Sequence, residues 1–213
     1  MAVAAPGPAQ SPPLDDAPMP EVERALAELD ERHVVVVARS AAQRAEAASQ
    51  LAHHIGDLPE TQLVQIDGAR VEDLRGLRAE LDRELPDPAG RALKPSFDGP
   101  GGVLARLREP PRAVEGHHIK RRFYLWRDAD VLLKASPSSF SVCIDAIAGV
   151  AAEAEYASDD LLLIHRLVLV GGPGLARCHA DARGPLRAWR PASTWPRVTG
   201  IDGPNFLLLG VAR

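Results

Sequence analysis

The sequence lacks the features of disulfide-rich, membrane-spanning and secreted proteins. Its two cysteines, Cys143 and Cys178, are too few for a disulfide framework, which is typical of a reducing compartment. No apolar run approaches the roughly 20 residues that a membrane-spanning helix needs. The N-terminus has neither the basic region nor the continuous apolar region of a secretory signal. These absences predict a cytoplasmic protein with no membrane partner.

Aromatic residues and surplus positive charge are also scarce. Aromatic side chains make up 4% of the chain, so the core must be built mainly from Leu, Val, Ile and Ala. The formal net charge is −4, which gives no overall electrostatic reason to expect a nucleic-acid-binding protein. The length of 213 residues suits one α/β domain with extensions.

The composition changes along the chain and suggests where the domain begins. Residues 1–20 are rich in Ala and Pro and contain almost no large apolar side chain, which predicts a disordered tail. Residues 21–213 are expected to form a single domain. Within it, residues 91–118 contain several glycines and prolines and follow no regular period, which predicts an irregular insertion.

The most informative stretch starts at His33, where four consecutive valines precede an alanine-rich segment. Such a run predicts a strand buried on both faces, followed by a helix. Similar apolar runs predict further strands at 62–66, 122–126, 166–170 and 205–211, and helical spacing predicts helices at 71–85 and 139–156. Strands that alternate with helices predict an α/β fold, with a mostly parallel five-stranded sheet and helices on both faces.

This order of elements resembles a P-loop NTPase of the AAA+ type, in which the first strand leads into a phosphate-binding loop. The loop of that family reads G-x-x-x-x-G-K-[ST]; its backbone N–H groups wrap the phosphates, its lysine reaches them and its hydroxyl binds Mg²⁺. In the corresponding positions here, Ala38 and Gln43 replace the glycines, Arg44 replaces the lysine and Ala45 replaces the hydroxyl residue. The resemblance therefore implies a degenerate phosphate loop.

The acidic motif of the family is altered as well. That motif ends the third strand with Asp-Glu, often followed by Ala-Asp; the sequence here is Arg127-Asp128-Ala129-Asp130. Alignment on Ala-Asp puts Arg127 at the metal-binding position and Asp128 at the water-activating position. A shift of one residue would instead put Asp128 at the metal position, which leaves residual magnesium binding as an alternative.

The resemblance implies a non-catalytic AAA+-like domain that acts as a structural or regulatory subunit of a larger complex and does not hydrolyse ATP. We expect no catalytic residue, no metal site and no cofactor. The implied partner is another protein subunit, and an active ATPase is one candidate.

Two other functions are compatible with the sequence. The first is a small α/β enzyme that uses carboxylates near strand ends, at Asp67, Asp128, Asp130, Asp159 and Asp160. The second is an accessory subunit that binds nucleic acid through a local basic patch. The residues of that patch are Arg106, Arg108, Arg112, Lys120, Arg121 and Arg122.

Overall fold

The computed structural model describes residues 19–29, 31–85, 100–111, 119–156, 163–181, 183–188 and 206–210. The strands are β1 (His33–Val37), β2 (Thr61–Asp67), β3 (Arg121–Arg127), β4 (Ile164–Gly171) and β5 (Phe206–Gly210). The helices are α1 (Pro20–Glu28), α2 (Ala41–Gly56), α3 (Leu74–Glu84), α4 (Pro100–Leu107), α5 (Asp130–Ala135), α6 (Pro137–Tyr156), α7 (Pro173–Ala180) and α8 (Pro185–Ala188). A short 3-10 helix, Gly68–Arg70, follows β2.

The five strands form one sheet in the order β2-β3-β4-β1-β5, and every neighbouring pair is parallel. Parallel neighbours require crossover connections, which the helices provide. The predicted α/β fold with a five-stranded parallel sheet is therefore confirmed.

The valines of β1 lie in the middle of this sheet and contact both helical layers. Val35 packs on one face with Tyr124 and Trp126, against side chains from α3 to α8. Val34 and Val36 pack on the other face, against α1 and α2. All three valines are completely buried, which explains why the strand has no polar alternation.

The predicted insertion contains a core helix. Residues 100–107 form α4, whose Val103 and Leu107 are buried in the same cluster as α3 and α6. This part of the 91–118 segment is therefore helical and belongs to the core. Residues 91–99 and 112–118 of that segment, and residues 1–18 of the predicted tail, lie outside the described residues. Helix α1 begins at Pro20, a proline position that suits the first turn of a helix.

Two buried histidines lie at the end of the sheet where the strands begin. His33 Nδ1 accepts a hydrogen bond from the backbone N–H of Leu167 at 3.0 Å, and His165 Nδ1 lies 2.9 Å from the hydroxyl of Tyr124. Burial, together with the charge of Arg166, lowers the pKa of His33 to about 3. Burial, together with the charge of Arg122, lowers the pKa of His165 to about 3 as well. Both rings are therefore neutral near pH 7.

Among the described residues, no helix is both long enough and apolar enough to cross a bilayer.

Candidate functional site at the carboxyl ends of the strands

The two motifs singled out in the sequence lie at the same edge of the sheet. The backbone N–H of Ala38, just after β1, donates to the carbonyl of Gly171 at 3.0 Å. The N–H of Ala129, just after β3, donates to the carbonyl of Val170 at 3.1 Å. Both segments are thus bonded to the end of β4. This edge, outside the carboxyl ends of parallel strands, is where open α/β sheets place their ligands.

The connection from β1 to α2 is short. It consists of Ala38, Arg39 and Ser40, and the helix begins at Ala41. Ser40 is the N-cap: its Oγ accepts from the N–H of Gln43 at 3.1 Å, and Gln43 Oε1 accepts from the N–H of Ser40 at 3.3 Å. Two backbone N–H groups of the predicted phosphate loop therefore already donate to side chains of the same chain.

Arg44 and Asp128 form an ion pair across the site. Arg44 Nε lies 3.1 Å from Asp128 Oδ1, and Arg44 Nη1 donates to the carbonyl of Arg39 at 3.2 Å. The side chain of Arg44 is only 20% exposed, whereas that of Asp128 is 47% exposed. The backbone of Asp128, in the turn that follows β3, is in the left-handed region, with φ of 48°. The residue at the predicted lysine position thus contacts the residue at the predicted glutamate position.

Asp130, the last residue of the acidic motif, is buried and binds two donors. Its carboxylate lies 2.6 Å from Lys134 Nζ and accepts the backbone N–H of Gly172, just before α7. Burial alone would raise the pKa of Asp130, but the bonds from Lys134 and Gly172 and the nearby charge of Arg44 hold that pKa below its usual value. Lys134 was not singled out from the sequence, although its i,i+4 spacing from Asp130 on a helix could have indicated the pair.

The turn after β3 packs directly on the segment after β2. A Cβ atom added at Gly68 would lie 2.4 Å from the carbonyl oxygen of Asp128 and 2.5 Å from that of Arg127. Only a residue without a side chain fits there, so the glycine at position 68 allows the turn at Asp128 to pack closely against the segment after β2.

We therefore expect the Gly68→Ala substitution to lower the free energy of unfolding by about 2–3 kcal/mol, because the overlapping atoms are backbone and cannot rotate away. The measurement is chemical denaturation of both proteins. Gly149→Ala is the matched control, since a Cβ at this position in α6 has no neighbour within 4 Å. The control should gain up to about 1 kcal/mol from helix propensity. Equal effects of the two substitutions would contradict the close packing at Gly68.

The remaining strand-end residues of the prediction have structural contacts or lie outside the described residues. Asp67 Oδ1 accepts from the N–H of Ala69 at 3.1 Å, and its other oxygen lies 3.5 Å from Arg70 Nε. Ala45 is exposed on α2. Asp159 and Asp160 lie outside the described residues. No group of three or more His, Cys, Asp or Glu side chains within the described ranges is arranged to hold a metal ion.

Two residues of the predicted basic patch are buried, which corrects that prediction at these positions. The guanidinium of Arg122 donates to the carbonyls of Leu107 and Glu109 at 2.9 and 2.8 Å, and to Gln62 Oε1 at 2.7 Å. Arg106 is also buried and pairs with Asp82 and Glu109. Neither side chain can reach a phosphate without breaking these bonds.

The other described members of the patch differ in their exposure. Lys120 is exposed and pairs with Glu60 at 2.8 Å. Arg121 is half-buried at the start of β3, and Arg108 is exposed just after α4. Arg112 lies outside the described residues.

The fold is similar to that of solved AAA+ proteins. The structure of the Aeropyrum pernix ORC2 protein in ADPNP-ADP complexes matches with a TM-score of 0.50 and 10% identity, over 92% of this chain and 50% of that chain. The ADP form of the same protein gives a TM-score of 0.46 and 10% identity, over 89% and 45% of the two chains. Cdc6p from Pyrobaculum aerophilum gives 0.43 and 18%, over 76% and 41%.

The match to the ORC2 structure in ADPNP-ADP complexes establishes the fold alone. The chain spans half or less of the length of the protein chain in each of these three structures. No protein-family model matches the sequence, and no curated protein does. The described residues thus share a parallel α/β fold with the ORC2 structure.

Proposed function

We propose that this chain is a non-catalytic AAA+-like domain, which acts as a structural or regulatory subunit of a larger complex and does not hydrolyse ATP. The observation that carries the proposal is the ion pair between Arg44 and Asp128. In an active P-loop enzyme the corresponding side chains face the phosphates and the attacking water. Here each neutralises the charge of the other.

The backbone before α2 supports the same conclusion. A phosphate loop binds through a row of backbone N–H groups that point at the ligand. The N–H groups of Ser40 and Gln43 donate to each other's side chains instead, and Ala38 donates to β4. A bound phosphate would have to break these hydrogen bonds, and breaking them costs free energy. Binding to a loop whose N–H groups already face the ligand does not carry this cost.

The residue at the metal position also opposes phosphoryl transfer. Mg²⁺ binds through carboxylates and phosphate oxygens, whereas Arg127 carries a permanent positive charge at the end of β3. Asp128 and Asp130 are the nearest acids in sequence, and they pair with Arg44 and Lys134. The same pairing weakens the alternative of a small enzyme with strand-end carboxylates.

A domain of this fold that does not turn over nucleotide contributes to a complex through its contacts. We infer that its partner is another protein subunit, and an active ATPase is the first candidate to test.

We expect no change in melting temperature at millimolar ATP with Mg²⁺, and no release of phosphate. A site with a micromolar Kd would add about 4 kcal/mol of stability under these conditions, which corresponds to a shift of about 10 °C. The measurements are differential scanning fluorimetry and a phosphate-release assay on the wild type, Arg44→Ala and Arg39→Ala.

Arg39→Ala serves as the control because it removes an exposed positive charge from the same loop without touching the ion pair. A clear shift that Arg44→Ala abolishes and Arg39→Ala retains would show that the loop still binds phosphate. That result, or turnover of ATP, would overturn the proposal.

A further inference from the structure

Three arginines lie together at the strand-end edge of the sheet, and we refer to Arg39, Arg44 and Arg127 as the arginine corner. The guanidinium of Arg44 contacts both the carbonyl of Arg39 and the carboxylate of Asp128, the residue after Arg127. Because β4 alone separates β1 from β3, the axes of these two strands are about 10 Å apart, and Arg39 and Arg127 lie at or just beyond their carboxyl ends.

The side chain of Arg127 lies on the same face of the sheet as α2. Residues of a strand alternate between faces, so Arg127 shares a face with Phe123 and Leu125. Those two side chains pack in the cluster that contains α1 and α2. Arg44 belongs to the first turns of α2, so the three arginines occupy one corner of the molecule.

Two of these arginines have no acidic partner among the described residues. Arg70 and Lys134, also near this edge, pair with Asp67 and Asp130, and Arg44 pairs with Asp128. Arg39 and Arg127 are exposed, and within the described ranges their guanidinium groups make neither an ion pair nor a hydrogen bond. Two unpaired guanidinium groups therefore remain at this edge of the sheet, on a protein whose net charge is −4.

The chemistry of the corner favours carboxylates as ligands. A planar guanidinium matches a carboxylate with two parallel hydrogen bonds and needs no backbone cradle. A single nucleic-acid strand, in contrast, follows an extended positively charged groove. Here the carboxylates of Asp67, Asp128 and Asp130 lie at the same edge as the basic side chains and interrupt the positive charge. Such a surface suits separate ion pairs with the acidic side chains of a protein better than it suits a continuous phosphate backbone.

We propose that the arginine corner binds acidic side chains of a protein partner through Arg39 and Arg127, beside the Arg44–Asp128 pair. This inference rests on the proposed function, since it assigns the edge that would bind nucleotide in an active enzyme to a partner subunit.

The experiment uses the full chain and a fluorescein-labelled decapeptide of glutamate as the probe, with binding measured by fluorescence anisotropy at low ionic strength. The test protein is Arg39→Ser/Arg127→Ser. The control is Arg24→Ser/Arg177→Ser, which removes the same charge from exposed positions on α1 and α7. Melting temperatures of both variants establish that they fold, as surface substitutions should permit.

We expect the test variant to bind the peptide at least about tenfold more weakly than the wild type, which corresponds to one charge-assisted hydrogen bond. The control should stay within about twofold, since it removes solvent-screened charge from exposed positions outside the arginine corner. Equal loss in both variants, unchanged binding in the test variant, or no binding by the wild type would overturn the proposal.

Two competitors decide the chemistry of the ligand. Inorganic tripolyphosphate and a mixed-sequence single-stranded DNA oligonucleotide are each added to the peptide complex. Tighter binding of either one, with the same dependence on Arg39 and Arg127, would replace the acidic partner with a phosphate ligand. ATP binding and turnover are measured separately, so nucleotide binding would refute the proposed function while the peptide assay still reports on the corner itself.

Discussion

Acidification from pH 7.5 to pH 5.0 is expected to lower the free energy of unfolding by about 4 kcal/mol, a large part of the 5–15 kcal/mol that stabilises a typical domain. The cause is the pair of buried histidines, His33 and His165, at the amino ends of β1 and β4. Both have a pKa of about 3 in the folded protein, against an ordinary value of 6.5.

The sign follows from which state binds protons. Below pH 6.5 the unfolded chain protonates both rings, whereas the folded protein keeps them neutral until the pH approaches 3. Each pH unit in that window therefore costs about 1.4 kcal/mol per histidine. Above pH 6.5 the rings are neutral in both states, and the effect vanishes.

Urea denaturation at a series of pH values measures this slope. His33→Gln should reduce the slope near pH 5 from about 2.7 to about 1.4 kcal/mol per pH unit, since one titrating group is lost. His53→Gln is the matched control, because it removes a histidine whose side chain is 72% exposed, and it should change stability at pH 7.5 by no more than about 0.5 kcal/mol. A wild-type slope close to zero between pH 5 and pH 6 would contradict the neutral, buried state of the two rings.

Replacement of Arg122 by alanine should destabilise the protein by at least about 3 kcal/mol, with a fall in melting temperature of about 10 °C. Its guanidinium donates to two carbonyl groups at the end of α4 and to the side chain of Gln62. The substitution leaves the buried carbonyl of Leu107 without this donor and separates α4 from β3. Thermal and urea denaturation measure the loss.

Two further variants test whether the geometry of Arg122 matters. Arg122→Lys should recover less than half of the loss, because an ammonium group lacks the rigid fork that reaches all three acceptors. Arg127→Ala removes an exposed arginine from the opposite end of the same strand and should change stability by no more than about 0.5 kcal/mol. Similar effects of Arg122→Ala and Arg127→Ala would show that the three hydrogen bonds contribute little.

The strands could be predicted from the sequence because their burial depends on local pattern. The valines from Val34 to Val37 and the apolar run from Leu167 to Val170 are sufficient to indicate central strands. The start of α4 could not be predicted in this way, because Pro100, Gly101 and Gly102 are typical of a loop. Pro100 instead begins the helix, and the carbonyl of Gly102 accepts a hydrogen bond from Arg78 at 2.9 Å.

The contacts within the candidate site could not be predicted from the local sequence pattern either. Arg44 and Asp128 could be singled out by comparison with the phosphate-loop and acidic motifs, but the ion pair between them joins residues 84 positions apart. The burial of Arg106 and Arg122 was hidden for the same reason: a basic stretch is usually exposed, and only the packing of α4 on the sheet encloses these two side chains. The charged residues can be counted from the sequence, but the residues with which they form ion pairs and hydrogen bonds cannot be identified from it.

The position of β5 has a consequence for how the chain reaches its folded state. The outer edge of β1 pairs only with β5, so that His33 faces Phe206 and Val37 faces Gly210. During synthesis, the edge of a four-valine strand therefore stays without its neighbour until almost all of this sequence has left the ribosome. Unpaired edges of apolar strands recruit other chains. A chain that is truncated or stalled before residue 206 would consequently be prone to aggregate.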